Sequence, residues 1–162
     1  MADDPFIPQA CDYFALINLA HAYADALDNG EFDRIGTLFH HADIYMPGSQ
    51  EPEVRAGSGG FGELLRKAVR TYPPGNTPRT RHVTTNHQIH FEGHDAARMR
   101  SYFTVLQETA PGQLEAIITG TYEDRFVRAD DHWRFAERRE TVTGAGDLSA
   151  HLVNGFDGPR DN

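Results

Sequence analysis

The stretch TYPPGNTPRT, residues 71–80, divides the chain into two parts that obey different periods. Its three prolines and one glycine end any helix that reaches it, because proline lacks the amide donor and clashes with the preceding turn. Before it, apolar residues recur every three or four positions. Tyr13, Leu16, Ala20, Tyr23 and Leu27, with Ile17 and Ala24 beside them, predict a helix over 9–28 that stops at Asn29-Gly30. A short helix is expected over 31–40, a strand at ADIYMPG, a loop over 48–60, and a third helix over 61–72 with Phe61, Leu64, Leu65, Ala68 and Val69 as its buried stripe. After the break the period falls to two. Strands are expected at 81–91, 96–107, 114–127 and 132–142, joined by Gly93-His94-Asp95, Pro111-Gly112 and Asp130-Asp131, which suit antiparallel hairpins. Helices first, one strand among them, then a run of strands is an α+β pattern: a curved antiparallel sheet packed against three N-terminal helices, with room for a pocket between.

A chain of 162 residues is read as one domain, 1–162, with a core at about 9–143 and a glycine-rich C-terminal tail over 144–162. Residues 1–8 read as a flexible lead, and Leu148–Val153 as an apolar turn that docks on the body. The net charge of −9 argues against nucleic acid and against anionic membrane. The single cysteine, Cys11, allows no intrachain disulfide, which fits a cytoplasmic setting. MADDPFIPQA has neither the basic nor the apolar region of a signal peptide, and no apolar run is long enough to span a bilayer.

RHVTTNHQIHFEG, residues 81–93, spends three positions of a strand on histidine. Strict alternation puts His82, Thr84, Asn86, Gln88 and His90 on one face, and Val83, Thr85, His87, Ile89 and Phe91 on the other. His82 and His90, eight residues apart, lie roughly 26 Å from one another at about 3.3 Å per residue, too far for one zinc ion. No HxH or HExxH spacing occurs, so no metal is expected. His87, His94 and His132 read as structural or surface imidazoles. His82 opens its strand where the proline-rich loop arrives, and a neutral histidine oriented by a carboxylate is an effective general base. The carboxylate is Asp25 or Asp28, both on the first helix. No redox or nucleotide cofactor is expected: GSGGFG at 57–62 lacks the preceding strand and the lysine of a phosphate loop.

YADALDNGEFDRIGTLFHHADIYMPG resembles the N-terminal helix pair of the SnoaL-like branch of the nuclear-transport-factor-2-like superfamily, with an aromatic residue five positions before Asp28. RHVTTN is similar to the central strand motif of that branch, and GTYEDRFVRADDHWRFAERR to its last hairpin. The resemblance covers about residues 10–142 and implies a cone-shaped α+β fold that hosts many activities. Scytalone dehydratase, a bacterial bile-acid dehydratase and lindane dehydrochlorinase of this superfamily share a His–Asp pair whose positions here are His82 and Asp28. Tyr23 matches a tyrosine of the bile-acid enzyme. Phe103 stands where scytalone dehydratase has a second histidine, and Gly120 and Tyr122 replace its serine and asparagine, so its water-activating arrangement is not implied. Arg138 matches an active-site arginine of the dehydrochlorinase, with Arg139 as the alternative.

The resemblance implies a cofactor-independent lyase or isomerase, dehydratase-like, that abstracts a proton from a small hydrophobic, cyclic substrate. Catalytic candidates are His82, Asp28 and Tyr23. Substrate-binding candidates are Tyr45, Asn86, Tyr102, Phe103, Tyr122 and Arg138. Two other readings stay open: a non-catalytic ligand-binding or oxygenase small-subunit-like domain, and a polyketide cyclase. A homodimer through the sheet is expected, with Val83, Ile89 and Phe91 on the outer face.

Overall fold

The computed structural model describes residues 6–155, with side chains from Ala10 onward. Elements run α1 (Phe6–Asp28), α2 (Phe32–Leu38), β1 (Asp43–Tyr45), α3 (Gly60–Ala68), β2 (Thr80–Phe91), β3 (Ala96–Ala110), β4 (Gln113–Ala129) and β5 (His132–Ala145). The expected lead at 1–8 lies partly outside the described residues, and α1 already begins at Phe6. The third helix ends at Ala68, four residues earlier than its periodicity suggests, because Val69 is extended and bridges to Leu152.

The five strands order β1-β5-β4-β3-β2. The long strands pair antiparallel, as expected, but β1 runs parallel to β5, so the sheet is mixed. A strand that enters from between two helices reaches the edge without a hairpin, and nothing forces it antiparallel. The core lies between the helices and one face of the sheet, where Leu16, Ile35, Phe61, Phe126 and Phe135 are all within 2% of full burial. Tyr13 and Phe14 stay exposed, so the apolar stripe of α1 begins at Leu16.

Two backbone features place the site. The first is the end of α1. Glu31 N–H donates to the Ala26 carbonyl (2.8 Å) and Gly30 N–H to that of Leu27 (3.0 Å), the paired bonds of a Schellman closure. Gly30 has φ +70°, and a Cβ there would lie 2.6 Å from the Asn76 carbonyl oxygen, so only glycine fits. This closure turns the chain sharply and leaves Asp28 in the last helical turn, facing the start of β2.

The second is a bulge in β2. The register with β3 slips between Thr85 and Gln88, and Asn86 there has φ +56°. Alternation therefore changes phase. Thr80, His82 and Thr84 face inward before the bulge; His87, Ile89 and Phe91 do so after it. The uninterrupted alternation expected for 81–91 is corrected accordingly: Asn86 is exposed and leaves the His82 face, while Ile89 and Phe91 pack against the core and only Val83 remains outside.

Candidate active site

An acidic side chain in the last turn of a helix faces the negative end of the helix dipole and needs a compensating partner. Asp28 has three. It accepts from Thr80 Oγ1 (2.7 Å) and from the His82 backbone N–H (2.9 Å to Oδ2), and its Oδ1 lies 2.6 Å from His82 Nδ1. The two side chains are only 5% and 11% exposed. Burial pushes the Asp28 carboxyl up, but the His82 ring and backbone N–H, with the Thr80 hydroxyl, outweigh it and hold it below its ordinary value. Asp28 is thus ionised at neutral pH, which fixes the His82 proton on Nδ1 and leaves the lone pair on Nε2. Asp25 is not the partner: it lies on the surface, 2.7 Å from Arg34 Nη1.

A second cluster forms further along the same face of the sheet. Arg138 and Asp124 are cross-strand neighbours and form a buried bidentate pair at 2.7 and 2.8 Å. The guanidinium lies 4.4 Å from the Tyr23 ring centre, 4.1 Å from Tyr122, 4.9 Å from Phe39 and 5.1 Å from Phe135. Arg138 Nη1 has no hydrogen-bond partner among the described residues. Burial raises the Tyr23 and Tyr122 hydroxyls above their ordinary range, so both remain donors. Glu140, paired in register with Tyr122, keeps some accessible surface, yet burial pushes its carboxyl up to about 7 against the pull of Arg138.

The clusters are linked through Phe103. Its ring stacks on Tyr122 at 4.5 Å, and its strand partner is Thr84, two residues from His82. Gly120 makes this possible, since a Cβ there would fall 2.6 Å from Phe103 Cζ. Inward-facing Tyr23, Phe103, Tyr122 and Arg138 therefore share the interior with the dyad.

The other candidates do not. Tyr45 sits beside the buried Ile44 and holds the Arg139 guanidinium 3.5 Å from its ring centre, on the outer side. Arg139 also pairs with Glu137, which settles Arg138 as the inward arginine. Tyr102 is 42% exposed under Arg100, and Asn86 is exposed at the bulge. Alternation decides the face for Tyr45 and Tyr102, and the bulge decides it for Asn86. His87, by contrast, turns inward after the bulge, edge-on to His21 at 5.4 Å, where burial and His21 lower its pKa.

Sequence reasoning missed several interior polar groups, among them Thr80, Gln107, Asp124, Glu140 and His151. Thr80 could have been found as the residue two before His82. Asp124 and Glu140 could have been found as inward neighbours of Tyr122 and Arg138. For His151 the signal was its place within the apolar 148–153 turn expected to dock on the body. Surface depressions of about 640, 730 and 510 Å³ lie away from the dyad. The first occupies the sheet among Arg98, Arg100, Glu123, Arg125, Glu137 and Arg139. Among the described residues, no group of three or more His, Cys, Asp or Glu side chains is placed to hold a metal ion. No helix among them is long and apolar enough to cross a membrane.

The model of the SnoaL-like domain matches residues 8–139. The chain belongs to the SnoaL-like family. Solved structures agree in fold at low identity. A Mycobacterium tuberculosis protein of unknown function is 21% identical, with TM-score 0.68, covering 95% of this chain and 85% of its own. A candidate scytalone dehydratase from Novosphingobium aromaticivorans DSM 12444 is 20% identical, with TM-score 0.67, covering 88% and 91%. The hexachlorocyclohexane dehydrochlorinase LinA-type3 from Novosphingobium barchaimii LL02 is 15% identical, with TM-score 0.64, covering 94% and 98%. No curated protein matches. This SnoaL-like chain therefore shares its α+β architecture, a cystatin-like or NTF2-like fold, with dehydratase-type and dehydrochlorinase neighbours.

Proposed function

We propose that this SnoaL-like protein is an acid–base lyase or isomerase that needs no cofactor. In this reading His82 Nε2 removes a proton from a carbon beside a carbonyl in a small hydrophobic, cyclic substrate. The observation that carries it is the 2.6 Å bond between His82 Nδ1 and an Asp28 carboxylate that is itself held by Thr80 and the His82 backbone. An oriented, ionised partner presents one tautomer of the imidazole and stabilises the imidazolium that proton abstraction would form.

The C–H pair moves onto the carbonyl carbon–oxygen unit as an enolate, and Asp28 stabilises the imidazolium. The enolate then either expels a β-leaving group, with His82 returning its proton to hydroxide as water, or takes the proton back at another carbon. Tyr23, which burial keeps protonated, can donate a hydrogen bond to the developing oxyanion. The dehydratase and dehydrochlorinase neighbours support elimination chemistry of this kind. The test is a screen of cyclic ketones and β-hydroxy ketones. His82→Ala should abolish turnover and lower the melting temperature, because the buried Asp28 loses its ring partner, and full activity in that variant would remove the proposal.

The second reading is a binding domain without catalysis. The packing of Phe103, stacked on Tyr122 at 4.5 Å, with Tyr23 edge-on to Tyr122 at 6.0 Å, fills the interior and favours it. Tight binding of a hydrophobic ligand that is recovered unchanged would support it. In either reading we propose a homodimer through the outer sheet face, where Val83, Tyr102 and Val127 stay 38–43% exposed. A monomer mass in light scattering would count against that.

A further inference from the structure

The chain beyond β5 does not trail away. Leu148 is buried in the core, and the segment is tied from several sides. Arg70 N–H donates to the His151 carbonyl (2.8 Å), Val153 N–H to that of Ala68 (2.8 Å), and Arg70 Nε to that of Leu152 (2.9 Å). The Ala150 carbonyl accepts from both Tyr72 Oη (2.6 Å) and the buried Gln107 Nε2 (2.9 Å). His151 turns inward from this anchored segment and is only 7% exposed.

Its ring centre lies 6.5 Å from that of His82, with the planes at 53°. The rings are too far apart to bond to each other directly, and their separation is that of two groups that can meet adjacent atoms of one small molecule. Nδ1 of His151 is buried with no partner among the described residues. A buried imidazole nitrogen without a partner is costly, and a ligand that bonds to it removes that cost.

We propose that His151 is a second catalytic histidine, delivered by the C-terminal segment, whose neutral imidazole holds the oxygen on which charge develops when His82 removes a proton from a carbonyl substrate. The inference rests on the His82–Asp28 reading and narrows the substrate to a ketone or enone whose α-carbon faces His82 Nε2 and whose oxygen faces His151. Burial, and then His82, lower the pKa of His151 to about 4, against a smaller opposing pull from Asp28. It is therefore uncharged at neutral pH, and a neutral imidazole acts as an electrophile through its N–H. No proton needs to leave His151: the C–H proton goes to His82, the pair to the carbonyl oxygen, and the His151 N–H bond strengthens as that oxygen becomes negative.

The test uses the full chain and two probes. One is 4-nitrophenolate, a planar oxyanion, with binding read from its absorbance. The other is cyclohexanone in deuterated water, with α-proton exchange followed by NMR. His151→Phe should weaken phenolate binding at least tenfold and slow exchange by about 10²-fold. His151→Gln, which keeps a donor, should recover part of both and guards against a misfolded Phe variant; melting curves accompany each. Equal phenolate binding by wild type and both variants, or none by wild type, overturns the proposal. So does exchange that is lost in His82→Ala but unchanged in both His151 variants, an outcome that leaves the dyad intact. Phenolate binding that depends on His151, without exchange by wild type, supports His151 as the oxyanion group and removes the proton-abstraction reading instead.

Discussion

Protonation of His151 gives a stability measurement that needs no substrate. The folded protein holds its pKa at about 4, against 6.5 for a free imidazole. Below pH 6.5 a chain with the segment released binds a proton there that the folded chain refuses, so stability falls as pH falls. The loss begins near pH 6.5 and is complete below about 4. At about 1.36 kcal/mol per unit, it reaches roughly 2 kcal/mol at pH 5 and roughly 3 kcal/mol at its limit. The facing groups are few: His82 from β2, which opposes protonation, and Asp28 from α1, which favours it. Gln107, which holds the segment, carries no charge. Asp28 does not confuse the result, because its lowered pKa places its own acid loss below the usual carboxylate range. Urea unfolding of wild type and His151→Gln at pH 7.5 and 5.0 isolates the effect from other histidines such as His87. Wild type should lose about 2 kcal/mol more than the variant between the two pH values. If instead the segment detaches before the body unfolds, amide exchange at 148–153 should speed up in wild type alone. Parallel pH dependence in both proteins by both measurements would refute the buried-imidazole assignment.

Asp28→Asn should reduce turnover by about 10³–10⁴-fold, because an amide no longer fixes the Nδ1–H tautomer; Asp25→Asn should leave it unchanged, and steady-state kinetics on any accepted substrate compares them. Glu140→Gln should stabilise the protein at pH 8 by up to about 3 kcal/mol and have little effect near pH 4.5, since a carboxyl held at about 7 resists losing its proton as pH rises through that window; thermal melts at both pH values check the sign. Arg138→Met should cost about 3–5 kcal/mol by stranding Asp124, whereas the Arg138→Met, Asp124→Leu pair should recover most of it. Urea titrations of the three proteins close that cycle.

Much of this molecule was legible because two signals are strong. The change of period at the proline-rich stretch separated helices from sheet, and the Asn29-Gly30 stop put Asp28 at a helix end. The dyad followed from the family pattern together with chemistry. What the sequence concealed depends on register. Asn86 looks like any strand residue, yet its left-handed backbone reverses the faces of everything after it. Tyr45 and Tyr102 were misplaced because a strand's inner side is decided by its neighbours and not by its own residue types. Arg138 and Arg139 are adjacent and chemically alike, and only the pairing with Asp124 distinguishes them. The turn at 148–153 was expected to dock, but where it docks and which way His151 points were not readable, because no local period describes a segment that packs by isolated bonds.

The bond between Asp28 and His82 joins residues 54 positions apart, one at the end of the helical layer and one at the start of the sheet. Neither layer alone can orient the imidazole. A newly made chain whose helices have formed but whose sheet has not docked carries an ordinary surface histidine, with no fixed tautomer and no enclosed oxyanion partner. Reactivity at His82 should therefore arise late in folding, together with closure of the two layers. Partly folded molecules would be spared a misplaced base, and regain of activity on refolding would report completed assembly of the two layers, where circular dichroism reports only the formation of strands and helices.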